Sequence, residues 1–240
     1  MNEVYKALKQ FGHVRANAPL AKYTSFKIGG PAEFLVEVET TEKLVALLQF
    51  IASEGLDYFV LGGGSNLLLP DEGLAGVTIR IKNQELKIKN ATIEAGAGIE
   101  LGKVVEVTTQ NGLTGFEWAA GIPGSLGGAV RGNAGARYAF CGGEIKDSLV
   151  TVTVWDGREV LELTNAGCAF GYRDSVFKHG GGIVLSAKFE LQPGDKRLIV
   201  DAAQKVIVER KGKHASEPSA GSFFKNVFLE KWKRDTSELP

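Results

Sequence analysis

Apolar residues recur along this chain first at helical spacing and then at strand spacing. Val4, Leu8 and Phe11 share one face and predict a short helix over residues 3–11. Gly29-Gly30-Pro31 breaks the chain before an extended run over residues 33–38. Leu44, Leu47, Leu48 and Ile51 predict a helix over residues 42–53 that Gly55 closes. Residues 58–61 read as a buried strand that runs directly into Gly62-Gly63-Gly64-Ser65-Asn66, a β-α-β unit ending in a glycine turn. From Leu74 the period falls to two, and short strands follow with turn residues between them. Leu101, Val104, Val105 and Thr108 mark a helix over residues 99–110, closed by Asn111-Gly112. Val150, Val152 and Val154 alternate over residues 149–155, and Asp156-Gly157 predicts a type I′ hairpin into residues 159–163. Residues 183–191 alternate again. Leu198, Ile199, Ala202, Ala203, Val206 and Ile207 then form the stripe of a helix over residues 196–211, which should pack on a sheet. One further extended run is expected over residues 221–228. These elements divide the chain at about 1–72, 73–192 and 193–240, and the last unit is too short to make a core of its own.

One stretch fits no regular pattern. Residues 115–135 hold seven glycines and one proline in 21 positions. Glycine is costly in helices and strands, and proline removes a backbone donor, so neither a regular helix nor a central strand is expected. The stretch is also too apolar for a linker. It reads as backbone packed tightly with N–H groups free for a ligand such as a phosphate, or else as a glycine-rich crossing between sheet layers. The whole chain carries the same signature: 31 glycines in 240 residues, against about 7% in ordinary proteins.

Charge and cysteine usage narrow the partners. The 28 basic and 28 acidic residues cancel without a basic block, which argues against nucleic acid or an anionic membrane. No apolar run approaches the roughly 20 residues needed to span a bilayer, and the first residues do not read as a secretory signal. Cys141 and Cys168 lie outside any C-x-x-C spacing and suit a reduced cytoplasm. His13, His179 and His214 show no ligand spacing, so no metal site is expected.

Several short motifs could carry chemistry. Neither glycine loop matches a P-loop or a G-x-G-x-x-G fingerprint, and two loops on separate units suggest one elongated ligand, such as a pyrophosphate cofactor, between them. Arg173, in Gly171-Tyr172-Arg173-Asp174-Ser175, could hold a carboxylate or phosphate, or could pair with Asp174 to fix the loop. Ser222, in Ser219-Ala220-Gly221-Ser222, lacks a nucleophile elbow and reads as a proton donor, a hydrogen-bonding group or a turn serine. Lys213 could meet a ligand phosphate or remain solvated.

Taken in order, YTSFKIGGPAE, LGGGSNLLL, GIPGSLGGAV with NAGA, GYRDSVFK and PSAGSFFKN closely resemble the UDP-N-acetylenolpyruvoylglucosamine reductase (UDP-N-acetylmuramate dehydrogenase) family of bacterial cell-wall precursor synthesis, in its shorter type. The likeness runs from about residue 17 to residue 226. It implies an α+β chain: a two-part FAD-binding fold of the vanillyl-alcohol-oxidase-like type, residues 1–72 and 73–192, plus an incomplete C-terminal α+β substrate domain, residues 193–240. It implies FAD as cofactor, NADPH as reductant and a UDP-sugar substrate, in a cytoplasmic enzyme expected to act as a monomer. Carried over by motif, the cofactor contacts are Gly62, Gly63, Gly64, Ser65, Asn66, Ile122, Pro123, Gly124, Ser125, Gly127, Gly128, Ala129, Asn133 and Gly135. Arg173 would stabilise the enolate-like charge and Ser222 would donate a proton to C2. Lys213 and Asn226 would contact substrate.

Two departures are expected to matter. The family's KNP reads Lys225-Asn226-Val227 here, and the family continues beyond this point with a glutamate that completes its catalytic trio. Glu230 and Glu238 stand in another context and are not given that role. The chain therefore reads as C-terminally truncated, and the alternative to a full reductase is a flavin-binding module that keeps FAD without full turnover.

Overall fold

Thr40 starts the best-defined helix of the N-terminal part, its Oγ1 accepting the Lys43 N–H at 3.3 Å. The structure, a computed structural model, describes residues 3–213, 217–222 and 224–226. It opens with α1 (Glu3–Leu8), shorter than the 3–11 expectation because a turn after Leu8 carries Phe11 into the core separately. Next, β1 (His13–Pro19) runs antiparallel to β2 (Pro31–Val38). Residues 13–19 carry little period-2 signal, since only Val14 and Ala18 are buried; pairing with β2 makes them a strand. Then α2 (Thr41–Ser53) buries Leu44, Leu47, Leu48 and Ile51 as their spacing predicts. Gly55 follows at φ +61°, and Leu56 N–H returns to Ile51 O at 3.0 Å.

The first sheet is completed by β3 (Tyr58–Leu61) and β4 (Leu74–Ile81), in the order β1-β2-β4-β3. Both β2 and β3 run parallel to β4, so β4 is central to this sheet. The change of sheet therefore comes after Ile81 and not after residue 72. Val77, Thr78 and Ile79 are buried in succession, the mark of a strand covered on both faces. One face meets the main core. The other meets a smaller cluster of Ala18, Leu20, Ala32, Leu35, Leu61 and Leu69.

The second sheet is antiparallel throughout. Its strands are β5 (Leu86–Lys89) and β6 (Thr92–Gly96) and, beyond α3 (Leu101–Gln110), β7 (Leu113–Thr114), α4 (Leu126–Arg131) and the hairpin β8 (Gly135–Arg137) and β9 (Gly142–Glu144), the strands β10 (Leu149–Trp155), β11 (Val160–Thr164) and β12 (Ile183–Glu190). The order is β11-β10-β12-β6-β5. The stretch of residues 115–135 was expected to exclude a regular helix, yet α4 lies inside it. Gly127 is the reason: a Cβ there would come within 2.8 Å of Ala97 Cβ, so close packing on the segment after β6 outweighs the poor helix propensity.

The β10–β11 turn also departs from expectation. Only Gly157 has a positive φ, so the loop is four residues long and not a type I′ turn. Asp156 explains it, because its Oδ1 accepts the N–H groups of Arg158 at 2.7 Å and Glu159 at 2.8 Å.

After β13 (Gln192–Pro193), which pairs with β7, the last regular element among the described residues is α5 (Lys196–Lys213). This helix packs mainly on α3 and on the 3₁₀ turn Glu117–Ala119, and of the sheets it meets the small β7–β13 pair through β7. Ile199, Ala203 and Val206 are buried, whereas Leu198, Ile207 and Val208 remain exposed. Among the described residues, 217–222 and 224–226 form no strand, and 223, 227 and 228 lie outside them. No helix of the described residues is long and apolar enough to cross a membrane.

The turn at Asp156 supplies a pH test. Backbone N–H donation from Glu159 and Arg158 holds its carboxyl below the usual value of 3.8. A depressed carboxyl adds stability above its ordinary pKa and loses it as pH falls through the depressed one. Asp156→Asn should thus lower the urea midpoint at about pH 7 and match the parent at about pH 2. An equal difference at both values would show that charge plays no part in the turn.

Candidate active site

Two glycine loops meet backbone to backbone. Residues 62–66 leave the end of β3, and residues 122–125 lead into α4. A Cβ on Gly63 would lie 2.5 Å from Gly124 Cα, so any side chain at Gly63 would push the loops apart. Gly64, at φ +63°, presses equally closely on Tyr23 O, while its own carbonyl accepts the Ser25 N–H at 3.0 Å. Ser65 Oγ donates to Pro123 O at 3.0 Å and ties the two loops together.

The backbone donors of this junction are unevenly used. Leu126 N–H bonds Ile99 O and Gly127 N–H bonds Ala97 O, both at 2.9 Å, and Gly128 N–H reaches Ser125 Oγ at 3.4 Å. The N-terminal amides of α4 are therefore occupied internally, and so is Ala129 N–H, on Ser125 O. Gly127, Gly128 and Ala129, expected as cofactor contacts, thus have their amides spent on packing. By contrast, the amides of Gly63, Gly64, Ser65, Asn66, Gly124 and Ser125 have no hydrogen-bond partner among the described residues. Such adjacent N–H groups form a nest for an anion. Ile122 N–H is used on Ala119 O, and Pro123 has none to give.

Asn133 turns out to be a structural tie. It is fully buried at φ +41°, and its Nδ2 donates to Glu144 Oε2 at 3.0 Å and Gly171 O at 2.9 Å. Its Oδ1 accepts Lys146 N–H at 3.1 Å, so the amide has no donor left. Gly135 has a similar cause: a Cβ there would come 2.6 Å from Glu144 Cγ across the β8–β9 pair. The carbonyls of Asn133 and Gly135 accept from the Arg173 guanidinium.

Arg173 sits at φ +54° in the turn before β12, and its carbonyl accepts from Lys178 Nζ at 2.8 Å. The Arg173–Asp174 pair expected as one alternative is not formed. Asp174 is engaged instead by His179 Nε2 at 3.0 Å, Lys225 Nζ at 3.3 Å and the Ser175 N–H at 3.0 Å. Desolvation pushes its carboxyl up, but these three donors outweigh it and hold it below the usual value. Burial, followed by the neighbouring charges of Lys225 and Arg131, pushes the Lys178 ammonium down. The turn is thus a cationic corner.

Ser222 reaches the same region from the far end of the chain. Asn66 Nδ2 donates to Ala220 O at 2.8 Å and to Ser222 O at 3.1 Å, which uses both of its hydrogens. Ser25 Oγ donates to Ser219 O at 2.6 Å, and Ser219 N–H returns to Ser25 O at 3.2 Å. Ser222 and Asn226 are exposed. Lys213, at the end of α5, is paired with Glu209 and is largely exposed. The segment YTSFKIGG had no role assigned from sequence; through Ser25 it holds both the first glycine loop and the Ser222 segment.

The FAD binding domain family model matches residues 32–164. The UDP-N-acetylenolpyruvoylglucosamine reductase of Lactococcus lactis subsp. cremoris (strain MG1363) is 44% identical over 215 residues, 88% of this chain and 71% of the relative. This chain belongs to the UDP-N-acetylenolpyruvoylglucosamine reductase family. The reductase of Streptococcus mutans serotype c is 41% identical over 94% of this chain and 73% of its own length. The crystal structure of the Thermus caldophilus reductase superposes with a TM-score of 0.74 at 37% identity, over 90% of this chain and 74% of that one. An alkyldihydroxyacetonephosphate synthase shares the fold alone, with a TM-score of 0.53 at 18% identity over 70% of this chain and 33% of its own.

The junction fits the cofactor that the family domain is named for. Gly63 and Gly124 leave no side chain between the loops, and six unpaired amides are available for a diphosphate. The side chains of Ser65, Asn66, Ser125 and Asn133 serve as internal fastenings, so it is backbone that would meet the ligand.

Asn133→Ala tests that division. It leaves the Lys146 N–H without its partner and removes one of the two donors to the Gly171 carbonyl, and alanine tolerates positive φ poorly. Unfolding stability should fall by about 3 kcal/mol, read from urea midpoints. A loss below about 1 kcal/mol would show that the asparagine is not the tie described.

Proposed function

We propose that this chain is a cytoplasmic, monomeric FAD-dependent reductase that uses NADPH to convert UDP-N-acetylglucosamine enolpyruvate to UDP-N-acetylmuramate in peptidoglycan precursor synthesis. The observation that carries the reading is the set of unpaired amides on two touching glycine loops, in a chain of this family. FAD, when bound, supplies the hydride chemistry between NADPH and the enolpyruvyl double bond. Residues 63–66 with Gly124 and Ser125 would hold its diphosphate through backbone N–H groups. The occupied amides of Leu126 and Gly127 keep that loop rigid and so preorganised.

Arg173 acts on the substrate's carboxylate. A guanidinium has five N–H donors, and two carbonyl contacts leave others for an anion. Those carbonyls and the Lys178 bond fix its direction, so charge developing on the carboxylate meets a preoriented cation. Ser222, held through its own carbonyl by Asn66, presents an exposed hydroxyl that gives its proton to C2. A free serine is a weak acid, but a carbanion-like centre is a strong enough base for the transfer. Lys213 and Asn226, both exposed on the same C-terminal stretch, contact the nucleotide part of the substrate.

The test is a visible spectrum followed by two half-reactions. The purified chain should carry flavin absorbance, bleach with NADPH under anaerobic conditions, and regain colour with the enolpyruvyl substrate. Absence of bound flavin overturns the reading. Reduction without substrate-driven reoxidation leaves a flavin-binding module instead of a reductase. Ser222→Ala should abolish reoxidation by substrate and spare reduction by NADPH; loss of both would remove the proton-donor role from Ser222.

A further inference from the structure

Residues 217–222 and 224–226, described beyond α5, carry no regular structure, yet they are held at three separate points. Ser219 pairs with Ser25 through two hydrogen bonds, and Asn66 holds the carbonyls of Ala220 and Ser222, with Ala220 fully buried. Both anchors attach the segment, up to and including Ser222, to the first glycine loop and its neighbour. The third anchor is different. Lys225 Nζ lies 3.3 Å from Asp174 Oδ2, beyond Ser222 in sequence and on the turn that carries Arg173.

We propose that the Lys225–Asp174 pair is a positioning device that sets the Ser222 hydroxyl relative to the Arg173 guanidinium. The inference rests on the roles given above to Ser222 and Arg173. Those two groups must act on adjacent atoms of one substrate, but they belong to segments about 50 residues apart. Among the described residues, Lys225–Asp174 is the side-chain contact that joins the two segments directly. Its carboxylate end is stiff. Asp174 Oδ1 is occupied by the Ser175 N–H and His179, and Gly171 and Asp174 exchange backbone hydrogen bonds at 3.0 and 3.2 Å. Lys178 clamps the Arg173 carbonyl on the same turn. Oδ2 is thereby aimed at Lys225 by a frame that also sets Arg173.

The charge pattern gives the pair direction. The groups acting electrostatically on Lys178 are Lys225, Arg131, Arg173 and Asp174, so four cations, Lys178 included, share this corner with one carboxylate. Without Asp174, Lys225 would be repelled from the Arg173 turn and would draw the segment away with it. Lys225 and Asp174 are about half and one third exposed, and an ion pair of that kind contributes little to overall stability. Placement of a reacting group is far more sensitive, since a shift of about 1 Å can cost roughly a hundredfold in rate. The pair should therefore matter to one chemical step and hardly to folding.

The experiment uses the flavin-loaded chain, NADPH and the enolpyruvyl UDP-sugar in rapid mixing, with amide hydrogen exchange as a readout independent of turnover. Lys225→Gln and Asp174→Asn should each slow substrate-driven reoxidation at least about tenfold while NADPH-driven reduction is unchanged. Exchange over residues 217–226 should quicken in both variants, and Lys225→Arg should restore both the rate and the protection. The inference is overturned if Lys225→Gln reoxidises at the parent rate while Ser222→Ala is inactive. It is also overturned if both half-reactions slow equally, or if exchange over residues 217–226 is unaltered. Full-rate reoxidation by Ser222→Ala would instead remove the role of Ser222 itself, which separates failure of the inference from failure of the reading beneath it.

Discussion

The contact of Gly63 with Gly124 governs this molecule. At that point the first sheet's loop and the loop entering α4 touch through backbone alone, and a Cβ on Gly63 would lie only 2.5 Å from Gly124 Cα. A methyl group would separate the loops, break the Ser65–Pro123 bond and scatter the unpaired amides around them. Close approach costs conformational entropy, because glycine is the most flexible residue in the unfolded chain. The surrounding structure offsets that cost by spending the neighbouring amides: Leu126, Gly127, Gly128 and Ala129 all bond inward. What remains outward is a set of donors already fixed in direction, which is what a diphosphate requires.

The same economy of parts places the groups proposed as catalytic. Asn66 shows it best: its backbone amide belongs to the unpaired set while its side chain holds the Ser222 segment. The glycine loop and the proposed proton donor are thus linked through one residue. On the other side, Asn133 fastens Glu144, Lys146 and Gly171, and its carbonyl shares Arg173 with that of Gly135. Two asparagines therefore hold the two ends of the proposed site, Asn66 through backbone carbonyls and Asn133 through backbone groups and the Glu144 carboxylate.

What the sequence made legible follows from how local each signal was. The helix over residues 41–53 carries its cap, its apolar stripe and its closing glycine between Thr40 and Gly55, so its local sequence specifies it almost to the residue. Strand β4 had an equally clear pattern, but its neighbours are set by long-range pairing, and period two does not say which sheet a strand joins. Strand β1 has no pattern to read, and α4 was concealed because Gly127 answers to Ala97 rather than to helix propensity. Motifs named the site residues, yet the side chains of Ser65, Asn66 and Asn133 proved to be fastenings. Nothing in a polar side chain's identity says whether it faces a ligand or its own backbone. Lys225 and Asp174 went unnoticed as a pair because no spacing rule connects residues so far apart.

The most direct measurement is the affinity of the flavin-free chain for FAD compared with riboflavin, followed by flavin fluorescence. If the unpaired amides form a diphosphate nest, FAD should bind at least about a hundredfold more tightly, the worth of two charge-assisted hydrogen bonds. Gly63→Ala should erase most of that difference while leaving riboflavin binding nearly as it was. Equal affinities in the parent chain, or an equal loss for both ligands in the variant, would contradict the account.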